Sequence, residues 1–86
     1  MPKALTVHRT LVIPTERERF YERMKRKQQH YAKLKCHFWV FEEADLPGAF
    51  LEFIEAPDAE TLARAHAAAP EPALDPARIY TQVELA

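Results

Sequence analysis

The chain has 86 residues, enough for one domain whose own core must be thin. Hydrophobic residues make up 48% and charged residues 29% of it, the balance of a soluble globular protein, and a formal net charge of −1 gives no general attraction to nucleic acid or anionic lipid. A single cysteine excludes an intrachain disulfide and a cysteine-based metal cluster, and a single glycine excludes a glycine-rich phosphate loop. No apolar run reaches membrane-spanning length, and the opening Met1 to Thr6 lacks the charged-then-apolar order of a signal peptide. A cytoplasmic location with no membrane partner is the expectation, and the lone Cys36 suits a reducing compartment.

Leu5 to Ile13 alternates moderately, with Leu5, Val7, Leu11 and Ile13 against Thr6, His8 and Thr10. Period two with β-branched residues predicts a strand, interrupted on its apolar side by Arg9, whose head should seek an edge or a carboxylate. Pro14 ends it. Thr15-x-x-Glu18 fits a capping box, and nothing from Glu16 to about Leu34 breaks a helix. Phe20, Met24, Tyr31 and Leu34, with Gln28 between them, form the stripe expected to pack on a sheet.

Cys36 to Glu42 and Ala49 to Glu55 predict two further strands around Leu46-Pro47-Gly48, where the only glycine suits a positive φ. This hairpin carries five of the nine aromatic residues: Phe38, Trp39, Phe41, Phe50 and Phe53. Asp58 is the expected N-cap of a second helix over Ala59 to Ala69, anchored by Leu62 and stopped by Pro70. Pro70 to Pro76 reads as a semi-rigid connector, and Ile79 to Leu85 alternates as a fourth strand. Charge is unevenly placed: residues 16–35 hold eight Lys or Arg against three Glu, whereas residues 42–60 hold seven acids and no base.

The order β-α-β-β-α-β predicts an α+β fold of the split β-α-β, ferredoxin-like kind. A four-stranded antiparallel sheet would have both helices on one face and strands one and three in the centre. The helix-covered face is assigned Leu5, Val7, Leu11, Phe38, Val40, Leu51, Phe53, Ile79 and Val83. The open face then receives Thr6, His8, Thr10, His37, Trp39, Phe41, Phe50, Glu52, Ile54, Tyr80, Gln82 and Glu84. A one-residue slip would exchange the faces of a strand. An open apolar patch of this size exceeds what a monomer usually shows, and a second copy of the chain is the simplest cover.

A chain this short with this element order and an aromatic open face resembles the dimeric α/β-barrel superfamily, particularly its antibiotic biosynthesis monooxygenase-like branch. The resemblance covers essentially the whole chain and rests on element order and size. It implies a homodimer with facing sheets and a pocket for a small molecule. It also implies a range of activities that includes cofactor-independent monooxygenases, isomerases, decarboxylases and haem degraders. The chain has no Asn, so the Asn, Trp and His set of the haem degraders is not matched, and no catalytic residue is carried across.

On the residues themselves, His8 and Glu52 would be neighbours and could act as a general base with its orienter; a buried polar pair that satisfies itself is the alternative. His37, Trp39, Phe50 and Tyr80 are the expected lining of a pocket for a small apolar or aromatic molecule. The sequence leaves open whether His66 faces the sheet or solvent. No His spacing matches a metal motif, no cofactor is expected, and Cys36 reads as a small core residue. The competing class is an RNA-binding module of the same element order. Ala49-Phe50-Leu51-Glu52-Phe53 resembles the tail of its strand-three motif, but the hairpin is acidic and the basic residues lie on the helix, which argues against it. The expectation is a cytoplasmic homodimer holding a small apolar or aromatic molecule; a monooxygenase-like or isomerase activity is the alternative.

Overall fold

A computed structural model of the chain describes residues 2–69 and 78–85. Four strands and two helices follow in the order β1 (Ala4–Leu11), α1 (Arg17–Lys33), β2 (His37–Glu42), β3 (Ala49–Ala56), α2 (Ala59–Ala67) and β4 (Tyr80–Thr81). The strands form one antiparallel sheet in the order β2-β3-β1-β4, so strands one and three are central. The fold is α+β, with an element order and sheet compatible with the split β-α-β pattern. Its β4 edge is short: only Ala4–Thr81 and Leu5–Tyr80 pair there, where alternation predicted a strand to Leu85. The predicted connector from Pro70 to Pro76 lies outside the described residues.

The first helix begins differently from the capping-box expectation. Pro14–Glu16 forms a 3-10 turn, and the residue before α1, Glu16, makes no side-chain cap. Pro14 fixes a turn-compatible φ at the first position, where a missing N–H costs nothing, and this turn takes over the role assigned to Thr15. The helix closes in a Schellman pattern: Cys36 N–H donates to Tyr31 O at 3.0 Å and Lys35 N–H to Ala32 O at 3.4 Å, with Lys35 at φ 63°. The second helix starts as expected, Asp58 accepting from Thr61 N–H at 2.7 Å.

Phe20, Met24 and Tyr31 of α1 are buried as the stripe predicts, whereas Leu34 and Gln28 are exposed. The true stripe runs 20, 24, 27, 31, so half-buried Lys27 occupies the place given to Gln28. Leu62, Ala65 and His66 of α2 complete the layer over the sheet. Phe20 packs tilted against Phe50 at 4.5 Å between centroids, and Tyr31 stacks on Phe38 at 6.0 Å. Cys36 joins this core, its thiol pushed up by burial and so not an activated thiolate.

Two strands present the opposite faces from those expected. The helices cover Thr6, Phe50, Glu52 and Ile54, all buried, and His8 on the same side. Val7 and Leu11 are exposed on the far side, which they share with half-buried Leu5, Leu51 and Phe53. β2 keeps its assignment, Phe38 inward and Trp39 and Phe41 outward. Both β1 and β3 are apolar on each face, so alternation alone did not fix their sense. In the observed sense Glu52 faces the helices and accepts from Lys27 Nζ at 2.8 Å.

Gly48 closes the β2–β3 hairpin at φ +93°, where its carbonyl accepts from Val12 N–H at 2.7 Å and its own N–H donates to Glu42 at 2.9 Å. A Cβ there would stand 2.6 Å from the Val12 carbonyl oxygen. Gly48→Ala should therefore lower stability by about 1–3 kcal/mol, the cost of a strained backbone position, read as a reduced urea midpoint at unchanged slope. An unchanged midpoint would mean the hairpin relaxes freely.

Candidate functional site

The sheet face opposite the helices carries three cross-strand rows, fixed by the register: Tyr80–Leu5–Glu55–His37, Val7–Phe53–Trp39 and Arg9–Leu51–Phe41. Trp39, Phe41 and Tyr80 are 44%, 56% and 52% exposed, a large aromatic area for a domain of this size. A groove of about 510 Å³ runs over it, lined by Leu5, Trp39, Phe41, Phe53 and Tyr80, with Lys3 and Glu55 at one end. His37 and Trp39 stack nearly parallel at 5.6 Å, and Phe41 meets Phe53 edge-on at 5.5 Å. These contacts preorganise flat, apolar walls suited to an aromatic or aliphatic molecule.

Charge is confined to the ends of the face. Lys3 pairs with Glu55 at 3.2 Å, and Arg9 meets Glu43 at 3.8 Å, as its expected search for a carboxylate requires. At the hairpin, Arg17 grips Glu42 through two bonds of 2.7 and 2.8 Å, and with Gly48 N–H this holds the Glu42 carboxyl down at about 2.

Of the expected pocket residues, His37, Trp39 and Tyr80 stand on this face, and Phe50 does not. Its ring is buried between α1 and the sheet, where it also meets Tyr21, so it offers no stacking surface of the RNA-binding kind. Phe53, assigned to the core, takes its place. His8 and Glu52 are direct cross-strand neighbours, but on the helix-covered side of the sheet and away from the groove. Glu52 is 3% exposed and accepts from Lys27 Nζ at 2.8 Å.

A second constellation was invisible as a motif. His66, on the buried side of α2, lies 2.8 Å from Thr6 Oγ1 through Nε2 and 2.8 Å from the Tyr31 hydroxyl through Nδ1. All three residues are buried. Burial, then Lys27 and His30, hold the His66 imidazole below its usual range, and burial pushes the Tyr31 phenol up to about 12. Both groups are therefore neutral near pH 7, and a neutral imidazole can accept from one hydroxyl while donating to the other. The signal for His66 was its spacing from Leu62, Ala65 and Ala69, one face of a helix. The trio acts as a satisfied polar tie between β1, α1 and α2.

No group of His, Cys, Asp or Glu among the described residues could hold a metal ion, and no helix among them is long and apolar enough to cross a membrane. Comparison with protein-family models, with curated proteins and with solved structures finds no significant match.

Proposed function

We propose that the chain is a cytoplasmic homodimer of the ferredoxin-like, dimeric α/β-barrel type whose two sheets face one another and hold a small apolar or aromatic molecule between them. The observation that carries this reading is the uncovered aromatic sheet face of Val7, Trp39, Phe41, Phe53 and Tyr80. Burying a large aromatic side chain contributes about 1.5–3 kcal/mol, so covering several per copy offsets the entropy lost on association. The element order and the central placing of β1 and β3 support the fold assignment. The groove supports the ligand: its walls are rings, and its polar groups sit at one end.

Phe53 lies at the centre of the face, paired to Val7 on one side and Trp39 on the other. Phe53→Lys should leave the far-ultraviolet circular dichroism intact and convert a dimer to a monomer in sedimentation equilibrium. Trp39 is the only tryptophan, so its emission should shift to the blue as wild-type protein is concentrated and stay red in the variant. Native mass spectrometry, gentle and then denaturing, reports any retained molecule. A wild-type chain that stays monomeric at every concentration overturns the homodimer; a dimer that never carries or takes up an apolar molecule removes the ligand and leaves the assembly.

A further inference from the structure

The distribution of charge on the open face selects one way for a second copy to sit on it. We infer that the two copies pack with their two-fold axis running across the strands, along the Val7–Phe53–Trp39 row, so that Arg9 of each copy reaches Glu55 of the other. This rests on the homodimer reading above and adds to it the register of the partner.

A face-to-face dimer has its two-fold axis between the sheets, parallel to their planes, and an isologous contact pairs each residue with its symmetry mate. An axis across the strands exchanges the two outer rows: the row of Arg9, Leu51 and Phe41 comes to lie over the partner's row of Leu5, Glu55 and His37. An axis along the strands instead lays each row over itself. The ends of the face differ in sign. The hairpin end carries Glu43, paired with Arg9, and Asp45, whereas Lys35 and Lys3, the latter paired with Glu55, gather beside His37 and Pro57 at the opposite end. The axis across the strands brings the acidic end over the basic end and Arg9 over Leu5, one strand from Glu55. The axis along the strands brings acid over acid and Lys over Lys, which like-charge repulsion disfavours.

Distances allow the contact. Packed sheets stand roughly 10 Å apart and neighbouring strands roughly 4.8 Å apart, a span that an extended Arg and a Glu share. Within one chain Arg9 and Glu55 cannot meet: they belong to rows four residues apart along β1, roughly 13 Å. Among the described residues exposed Arg9 meets Glu43 at 3.8 Å and half-buried Glu55 meets Lys3 at 3.2 Å, and neither of these ties prevents a second contact. The strands of the face hold 8, 6, 8 and 2 residues, which at about 3.3 Å per residue and about 4.8 Å between strands cover roughly 380 Å² per copy and roughly 750 Å² in the pair, the size of a weak, concentration-dependent contact.

The test is a charge-swap cycle read by sedimentation equilibrium: wild type, Arg9→Glu, Glu55→Arg and the double variant, each first checked for native circular dichroism. Each single reversal should weaken dimerisation by about tenfold or more, and the double should return to within about threefold of wild type, because only the intermolecular pair is restored. The local clashes with Glu43 and Lys3 persist in the double and so cannot produce the rescue. Wild-type protein that dimerises while the single variants bind as tightly, or while the double is weaker than both, overturns the register and leaves the homodimer standing. Wild-type protein that is monomeric at all concentrations overturns both readings, and a different occupant would then have to cover the face.

Discussion

His66→Leu should destabilise the fold by about 2–5 kcal/mol, because it strands two buried hydroxyls at about 1–3 kcal/mol each. Thr6 Oγ1 and the Tyr31 hydroxyl each lie 2.8 Å from a His66 ring nitrogen, and no buried side-chain polar atom among the described residues lacks a partner. The balance can be tested from the other side. The triple variant Thr6→Val, Tyr31→Phe, His66→Leu removes every member at nearly constant shape, and it should be more stable than His66→Leu alone. Urea titrations of the two variants decide it. A His66→Leu loss under about 0.5 kcal/mol, the range of an ordinary surface change, would show that the trio contributes nothing.

The same residue sets a pH dependence. The folded pKa of His66 is depressed, first by burial and then by Lys27 and His30 on α1, while an unfolded imidazole titrates near 6.5. Above about pH 6.5 the ring is neutral in both states and the tie contributes in full. As pH falls from there toward the depressed folded value, the unfolded chain takes up a proton that the folded chain refuses, so stability declines. Below the folded value this decline stops. A protonated ring would donate from both nitrogens and leave the hydroxyl proton that the neutral ring accepts without its acceptor; Tyr31 itself, at about 12, does not titrate in this range. The slope in unfolding free energy just below pH 6.5 should vanish in His66→Leu. The acid loss tied to Glu42 falls elsewhere: its carboxyl is held at about 2, so that contribution is lost from about pH 4.3 downward.

Which parts of this architecture could be read from the sequence follows from how distinct each strand's two faces are. β2 alternates Phe38 and Val40 with His37, Trp39 and Phe41, and its sense was legible. β3 offers Phe50, Glu52 and Ile54 against Leu51, Phe53 and Glu55: one carboxylate and two large apolar side chains on each face. Alternation cannot choose between them, and a wrong choice there reverses β1 as well, through the pairing of His8 with Glu52 and Val7 with Phe53. Lys27, at helical spacing from Phe20, Met24 and Tyr31, brings an ammonium to the sheet, where Glu52 accepts from it at 2.8 Å; because Glu55 puts a carboxylate on the other face as well, this pairing could not choose the sense in advance. The aromatic character of the open face survived the reversal because Phe53 and Leu51 replaced Phe50 and Ile54. Alternation places the small Thr6 on the open face, yet it lies beneath α2 with its hydroxyl 2.8 Å from His66 Nε2.

Phe20→Ala should cost about 3–5 kcal/mol, the range for removing a buried aromatic side chain. Phe20 is 1% exposed, rests on Phe50 at 4.5 Å and has Arg23 above its ring at 5.7 Å, so its loss opens a cavity where α1 meets the hairpin. An 86-residue domain has a total stability of about 4–13 kcal/mol, which puts the variant near its unfolding limit. Phe20→Leu, keeping most of the volume, should lose clearly less. Because only folded chains can pair through the sheet face, association adds stability that grows with protein concentration. Thermal unfolding of Phe20→Ala should therefore move upward over a hundredfold concentration series, and the shift should disappear when Phe53→Lys is added. A melting temperature that is independent of concentration in Phe20→Ala would mean that the layer between α1, α2 and the sheet supplies all the stability of the fold and that the aromatic face contributes none.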